Sequence, residues 1–573
     1  MSEITEPSAA GGFDDARDAT PAARLDWGAL WQLLRLGLIG FGVLAVILWL
    51  LAQWNEGGAG NAVDAVTGTV TLTLSQEPPQ MDSTRGTDQV SFRILGHVME
   101  GLLRYDANNR LVGAVAERWE GTEMLWTFHL REEARWHTGE PITAHDFVFA
   151  WRKVVDPANA SQYAFIMFGI ENAEAINRGD MPLESLGVRA IDERTLEVRL
   201  ARPLPYFGKL TAFATYNPIN EAFYESRAGR YAADAEDMLY NGPFVISSWV
   251  HGASLRLEKN PNYWDAGRIK LNAIDHAYIT TDTNAVLNLF KDDKVALTSL
   301  NAENLDDALQ QRWRINRFAD GSVYFMELNH APDRLTSNYN LRKALQAVND
   351  PAELVYKVIK LPGNLPGRSL FPVWLKGVNG YFRQEYPAPE QVPDEALGRR
   401  YLAQALDELG LDEPPTLVML TGDSPSANKQ SEYYQNLFKQ KLGIDIKIDR
   451  QIFKQRLAKM TAGDFDIVMA GWGPDYDDPM TFGDLFASWN ENNRGRYVNP
   501  ALDEAVEIAR SSSDARTRME AFARVQEIIR EDAVILVNYE LGSVYVANPR
   551  VKGLVRRAVG TDPDYTNAWI EEA

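Results

Sequence analysis

Apolar and polar residues follow two different spacings along the chain, and each spacing predicts a different kind of element. Short alternating or continuous apolar runs predict strands over residues 70–74, 126–130, 195–200, 241–249 (a turn followed by a strand), 416–420, 444–448, 466–470 and 534–539. Apolar residues three or four positions apart predict helices over residues 90–105, 143–151, 284–291, 338–348 and 393–409. Thr143 with Asp146 is typical of a capped helix start, and Gly410 of a helix end. The mixture of strands and helices predicts an α/β fold with more than one lobe.

Length and composition narrow the classes of protein that the chain can represent. At 573 residues it is too long for one hydrophobic core, so we expect two or three domains. The absence of cysteine excludes disulfides, thiolate nucleophiles, cysteine-bound metals and a lipid anchor on cysteine. A formal net charge of −21 makes a nucleic-acid partner improbable, because the acidic surface repels phosphate.

The N-terminal region contains an uncharged apolar stretch over residues 36–55. About 20 residues in a helix span about 30 Å, the thickness of the hydrocarbon core of a bilayer. Trp27, Trp31 and Trp54 stand near its ends, where indole rings favour the membrane interface. We therefore expect a disordered cytoplasmic tail (1–26), a transmembrane anchor (27–55) and a linker (56–67).

The basic residues around this stretch predict its orientation. Arg17, Arg24 and Arg35 precede it, and the next basic residue is Arg85. The positive-inside rule then places the large C-terminal part outside the cytoplasm, as a single-pass membrane protein facing the periplasm. The alternative is a cleaved signal peptide, for which the small residues around Ala59 would provide a cleavage site.

A series of short motifs follows in the part of the chain after the linker. In order they are Glu77-Pro-Pro-Gln-Met-Asp82, Glu100-Gly-Leu-Leu-Arg-Tyr105, Trp136-His-Thr-Gly-Glu-Pro141, Asn241-Gly-Pro-Phe244, Asn260-Pro-Asn-Tyr-Trp264 and Gly471-Trp-Gly-Pro-Asp-Tyr476. Each motif is weak alone, but the complete series, from about residue 70 to about residue 555, resembles the extracytoplasmic oligopeptide-binding proteins of peptide ABC transporters. These form solute-binding protein family 5, the dipeptide/oligopeptide type.

The resemblance implies a fold and a function. The fold would be a two-lobed α/β periplasmic-binding-protein clamshell of type II, in its large form with an extra subdomain. Lobe I would comprise 68–99, 222–321 and 543–573, the subdomain 100–221, and lobe II 322–542. The protein would capture oligopeptides with a free N-terminus between the lobes and deliver them, as a monomer, to the permease subunits of an ABC importer.

The resemblance also implies the ligand-binding residues. Asp475 matches the carboxylate that holds the ammonium group of the peptide, while Tyr163 and Gln89 match positions around the same end. Trp472 and Phe453 match aromatic positions in the side-chain pockets, and Glu327 matches a carboxylate that favours basic side chains. Gly473, which follows Trp472, and Asn329, two residues after Glu327, complete the expected set. From spacing alone, Asp475 would instead cap a turn and Phe453 would pack in the core.

The sequence departs from the enteric relatives at the carboxyl end of the ligand. Where those relatives bring histidine and arginine toward the ligand carboxylate, this chain has Ala427, Met460 and Met469. Four basic residues stand nearby in sequence: Lys360, Lys429, Arg456 and Lys459. Without an established partner for the carboxylate we expect longer peptides to be accepted, and amidation of the carboxyl end to matter little.

Other functions remain open at this point. Within the family, the ligand would be a dipeptide, a murein peptide or a metal chelate, and outside it the protein would be a membrane-tethered peptide sensor or chaperone. The seven histidines show no metal-binding spacing, and no Gly-x-Ser-x-Gly elbow or phosphate-binding loop occurs. We therefore expect neither an enzyme nor a bound cofactor or metal.

Overall fold

The computed structural model describes Arg35 and residues 61–572. The predicted tail, the apolar stretch 36–55 and the first part of the linker lie outside the described residues. Among the residues described, we find no helix that combines the length and the apolar character needed to cross a membrane.

The strands of this region are numbered in chain order. They are β1 (Val63–Asp64), β2 (Thr69–Leu74), β3 (Leu103–Tyr105), β4 (Leu111–Gly113), β5 (Ala116–Gly121), β6 (Leu125–Leu130), β7 (Val188–Asp192), β8 (Thr195–Arg199), β9 (Phe244–Val250), β10 (Ser254–Lys259), β11 (Ala273–Ile279), β12 (Leu297–Ser299), β13 (Asn316–Leu328), β14 (Leu365–Pro366), β15 (Thr416–Thr421), β16 (Asp445–Arg450), β17 (Ile467–Trp472), β18 (Ile535–Ala547), β19 (Val551–Lys552) and β20 (Trp569–Ile570).

The α-helices are numbered in the same way. They are α1 (Gln89–Val98), α2 (Ala144–Val155), α3 (Ala173–Asn177), α4 (Phe207–Leu210), α5 (Glu221–Ser226), α6 (Thr283–Lys291), α7 (Leu305–Gln310), α8 (Tyr339–Val348), α9 (Pro351–Glu353), α10 (Phe382–Glu385), α11 (Glu395–Leu409), α12 (Pro425–Leu442), α13 (Phe453–Ala462), α14 (Met480–Gly483), α15 (Pro500–Ser511) and α16 (Ala515–Glu531). A π-helix follows α9 over Leu354–Ile359.

Three sheets organise the fold. A five-stranded sheet has the order β1-β2-β11-β10-β9, in which β2 and β11 run parallel. A larger sheet has the order β12-β18-β13-β17-β15-β16, with β14 attached to β18. A four-stranded antiparallel sheet, β5-β6-β8-β7, is covered by α2, whose Phe147 and Trp151 are fully buried.

Most of the elements predicted from the sequence are confirmed. At the start of α2 the Asp146 carboxylate accepts the Thr143 backbone N–H at 2.7 Å, so the predicted capping pair is present. Gly410 ends α11 with a φ of 65°, in the left-handed region that glycine adopts without strain.

One predicted helix is too long. The sequence predicts a helix over residues 90–105, but α1 ends at Val98, and Leu103–Tyr105 forms β3. Gly101 lies so close to the backbone that a Cβ there would come within 2.7 Å of the Thr211 carbonyl. The apolar spacing continues beyond the helix because Leu102 and Leu103 are also buried, although in an extended segment.

Glu100 joins α1 to the segment after β10. Its carboxylate accepts hydrogen bonds from the Tyr263 hydroxyl at 2.8 Å and the Trp264 indole at 2.7 Å, and Arg104 lies 3.3 Å away. Burial raises the pKa of Glu100, while Arg104 and the two hydrogen bonds oppose that shift. The two aromatic donors therefore depend on one buried acceptor.

Glu100→Ala removes this acceptor, so we expect the free energy of unfolding to fall by about 2–4 kcal/mol, since both donors lose their partner. Urea denaturation measures the change. Glu117→Ala, at an exposed position of β5, is the matched control. Equal unfolding midpoints for the two variants would contradict this role of Glu100.

Candidate ligand-binding site

Asp475 lies in the turn that follows β17. Its side chain is buried, with 7 % of the residue exposed, and its backbone N–H donates to the Thr481 hydroxyl at 2.9 Å. The Tyr163 hydroxyl donates to one carboxylate oxygen, Oδ2, at 2.9 Å. The other oxygen, Oδ1, is buried and has no hydrogen-bond partner among the described residues. A buried carboxylate with a free oxygen is a candidate contact for a cationic ligand group.

The surroundings of Asp475 disfavour its charged form. Burial raises its pKa well above the ordinary value, the hydrogen bond from Tyr163 acts in the opposite direction, and the Asp484 carboxylate raises it further. Asp484 is itself buried, and its pKa is raised to about 7. No basic side chain in the described part of the chain compensates Asp475 to an extent comparable with its burial, so an incoming cation would supply the missing counter-charge.

The neighbouring acidic residues hold the turn in place. Asp478 forms a bidentate ion pair with Arg518 of α16, with N–O distances of 2.7 and 3.1 Å, and both side chains are buried. Lys209 of α4 donates to the backbone carbonyl of Asp477. The turn is therefore fixed from two sides, through Asp478 and through the carbonyl of Asp477.

A cavity of about 530 Å³ lies beside the turn. Six of the eight residues expected at the ligand line it: Gln89, Tyr163, Phe453, Trp472, Gly473 and Asp475. They come from α1, the segment before a short 3₁₀ helix, α13, the end of β17 and the turn after it. Ala427, Met460 and Met469, the positions expected near the ligand carboxylate, line the same cavity.

Aromatic rings form part of the cavity wall. The Tyr163 and Trp472 rings are stacked, with centroids 6.2 Å apart and an interplanar angle of 13°. Tyr324 and Tyr539, also in the lining, stack at 4.9 Å and 6°. These flat surfaces leave room for ligand side chains of different shapes, and Tyr163 combines this packing with its hydrogen bond to Asp475.

The larger sheet opens at the cavity. β15 pairs with β17 at only two positions, Met419 with Ile467 and Leu420 with Val468. On the other side, β13 pairs with β17 as far as Trp472. Residues Met469–Trp472 therefore have β13 on one side and the cavity on the other, and we call them the edge segment. An open strand edge is a site where an extended peptide can add as a further strand.

Glycines allow close packing around the edge segment. A Cβ on Gly471 would come 2.9 Å from the Tyr324 ring, and one on Gly473 would come 3.0 Å from the Gln89 side chain. Gly473 thus permits the close approach of α1 to the turn, which gives this expected residue a steric role.

Two expected residues lie outside the cavity lining. Glu327 is buried, accepts the Gly495 backbone N–H at 2.5 Å, and has a pKa raised by burial to about 7. Asn329 is fully buried and donates to the carbonyls of Gly463 and Phe465 at 3.0 and 2.8 Å. Both side chains hold neighbouring loops against the end of β13, and their expected contact with the ligand stays a prediction.

Several lining residues were not identified from the sequence. The arginines Arg93 and Arg494 and the tyrosines Tyr324 and Tyr539 belong to this group. They lie on separate strands, helices and loops, and no local spacing joins them. Only the pairing of β13 with β17 and β18 brings the two tyrosines to the cavity. No group of three or more side chains able to hold a metal ion occurs within the part of the chain described.

The sequence resembles those of known proteins. The model of bacterial extracellular solute-binding proteins, family 5 (middle region), matches residues 110–494. Dipeptide-binding protein DppE of Bacillus subtilis is 29% identical over 508 residues, which cover 88% of this chain and 93% of DppE.

Solved structures agree with the sequence comparison. The substrate-binding domain of an oligopeptide ABC transporter from Bacillus anthracis superposes with a TM-score of 0.85 at 33% identity, covering 89% of this chain and 99% of that structure. Listeria monocytogenes OppA bound to peptide gives a TM-score of 0.83 at 30% identity, covering 88% and 99%. The expected α/β fold is confirmed, and the chain belongs to family 5 of the bacterial extracellular solute-binding proteins.

Asp475→Asn tests whether the surroundings of Asp475 raise its pKa in the folded protein. A carboxyl group whose pKa is higher in the folded than in the unfolded protein loses stability as the pH rises above its unfolded value, about 3.9. Asparagine has no such dependence. We expect the ligand-free variant to become progressively more stable than the wild type between pH 4.5 and pH 7, with a limiting slope of about 1.4 kcal/mol per pH unit.

Thermal melts of both proteins, freed of ligand by unfolding and refolding, measure this difference. Asp464→Asn, at an exposed position before β17, is the control. Its difference in stability from the wild type should not grow as the pH rises. A stability difference for Asp475→Asn that is constant with pH would show that the carboxylate is not strained by its surroundings.

Proposed function

We propose that this protein captures oligopeptides with a free N-terminus in the 530 Å³ cavity and delivers them to an ABC importer. The observation that carries the proposal is Asp475, a buried carboxylate beside the cavity. One of its oxygens is bonded to Tyr163, and the other has no partner among the residues that the structure describes. A peptide ammonium group supplies both the positive charge and the hydrogen-bond donors that this carboxylate lacks.

The edge segment supports a peptide over other amines. An extended peptide offers alternating backbone donors and acceptors, which pair with a strand edge whatever the side chains are. The cavity volume is within the range of about 300–1,000 Å³ that is usual for ligand sites. The names of the relatives agree, since they are described as dipeptide- and oligopeptide-binding proteins. Murein peptides remain compatible with the same ammonium contact, whereas a metal chelate would leave Asp475 without a counter-charge.

The lobe boundaries expected from the resemblance are part of the proposal. In this division the five-stranded sheet belongs to lobe I, the four-stranded antiparallel sheet to the extra subdomain, and most of the larger sheet to lobe II. Tyr163 then belongs to the subdomain and Asp475 to lobe II, so their hydrogen bond would join two bodies. Movement of the lobes about the crossing strands would admit the ligand and then enclose it.

We further propose that residues 36–55 form an uncleaved transmembrane anchor, with the binding domain on the extracytoplasmic side. The family is one of extracellular binding proteins. The uncharged length of the stretch and the basic residues before it support this arrangement. Since the chain has no cysteine, a lipid attached to cysteine cannot provide the attachment. In this arrangement a monomer tethered to the membrane would present its ligand to permease subunits.

N-acetylation of the ligand tests the role of Asp475. Acetylated alanine peptides of three to five residues should bind at least about 100-fold more weakly than the free peptides, because a buried charge pair is lost. Asp475→Asn should weaken binding of the free peptides by a similar factor, while Asp464→Asn should not. Calorimetry with the full-length protein measures the affinities, and equal binding of free and acetylated peptides would contradict the proposal.

Peptide uptake by cells distinguishes a transport receptor from a sensor or chaperone. Deletion of the gene should abolish import of a radiolabelled tetrapeptide, and the wild-type gene should restore it, whereas a gene carrying Asp475→Asn should not. Unchanged import after deletion would show that the protein does not supply an importer for that peptide.

A further inference from the structure

Three arginines line the cavity, and they differ in how far the protein satisfies them. Arg93 donates from Nε to the Asp562 carbonyl at 2.8 Å. Arg494 donates to Asn492 and Gln162 at 3.2 and 3.4 Å. Burial lowers the pKa of Arg494, and the Glu327 and Asp88 carboxylates oppose that shift. The Nε of Arg494 is buried with no partner among the described residues, but its other hydrogen bonds and the two nearby carboxylates compensate this guanidinium group in part.

Arg456 of α13 is less satisfied. It makes one long hydrogen bond, from Nη1 to the Met469 carbonyl at 3.3 Å, and its Nε is buried with no partner in the described region. No carboxylate of the described residues forms an ion pair with it within 4.0 Å. Asp423, also in the lining, is exposed and therefore hydrated. The Phe453 ring lies under the guanidinium group, 5.3 Å from its carbon, and helps to orient it.

The other three basic residues that the sequence placed near the ligand carboxylate are either paired with carboxylates or exposed. Lys429 pairs with Glu303 at 2.8 Å, and Lys459 pairs with Asp449 and Asp464 at 2.5 and 3.1 Å. Lys360 is exposed at the end of the π-helix. Of the four basic residues that the sequence placed near the ligand carboxylate, Arg456 alone is among the cavity-lining residues.

We propose that Arg456 receives the α-carboxylate of the bound peptide, so that the cavity selects peptides by length as well as by their free N-terminus. This inference rests on the proposed function of the cavity. It changes the expectation drawn from Ala427, Met460 and Met469, which was that the carboxyl end is not held. Those three side chains are apolar and line the same cavity as Arg456, and an ion pair is stronger in apolar surroundings than in water.

The geometry of the edge segment sets the length. At the first residue of the edge segment, Arg456 contacts the carbonyl of Met469. Beyond the last residue of the segment, Asp475 follows three residues after Trp472. The edge segment itself spans about 10 Å, and the six steps from Met469 to Asp475 span at most about 20 Å. Extended peptides of three to five residues measure about 10–17 Å. A peptide of this size, antiparallel to β17, would reach both charged groups.

A peptide library tests the inference. Mixed-sequence peptides of two to ten residues are prepared once as free acids and once as carboxyl amides, and those retained by the full-length protein are measured by mass spectrometry. The wild type should retain free acids at least about tenfold over amides, because a charged hydrogen bond is lost on amidation, with a maximum at three to five residues.

Arg456→Gln should remove the preference for acids and broaden the length distribution, and Arg456→Lys should restore part of the preference. Lys459→Gln, on the same helix but outside the cavity lining, is the matched control and should behave as the wild type. Equal retention of acids and amides by the wild type would overturn the inference and leave the proposed function intact. Retention of no peptide in either form would remove the proposed function, and this inference with it.

Discussion

The hydrogen bond between Tyr163 and Asp475 connects two segments that lie more than 300 residues apart in the chain, and the binding site is built around it. The carboxylate is buried with a single hydroxyl donor among the described residues, so the protein alone stabilises its charged form poorly. A cation with several N–H donors would compensate the buried carboxylate most completely, because it supplies both a counter-charge and hydrogen bonds. A peptide ammonium group has both properties, and it is common to all unblocked peptides.

The surrounding structure makes this arrangement possible. Arg518 fixes the turn through Asp478, so Asp475 is presented by rigid backbone. β17 is held by β13 along its length but leaves β15 after two residue pairs, which exposes the edge segment beside the same cavity. In the proposed function, charge recognition at one end and backbone pairing along the strand would both act on parts of a peptide that do not depend on its sequence. The stacked aromatic rings then provide surfaces for variable side chains.

The sequence was sufficient for the α/β fold, for most strands and helices, and for six residues that the structure brings to one cavity. Asp475, Trp472 and Gly473 stand together in one short motif, and Tyr163 was assigned through the family resemblance. The failures have physical causes. Helix α1 was predicted too long because buried apolar residues continue into β3, where tertiary pairing decides the conformation. Glu327 lies outside the cavity lining, and its hydrogen-bond partner, the Gly495 N–H, could not be found from the sequence because it lies far along the chain. Arg456 could be singled out only after the structure paired its basic neighbours elsewhere.

The most direct test of this account is mass spectrometry of the ligands released by unfolding the full-length protein after purification from cells. The account predicts a mixture of peptides of varied sequence that share a free N-terminal amine. Recovery of only N-terminally blocked peptides, or of a single sugar or metal chelate in place of peptides, would contradict it.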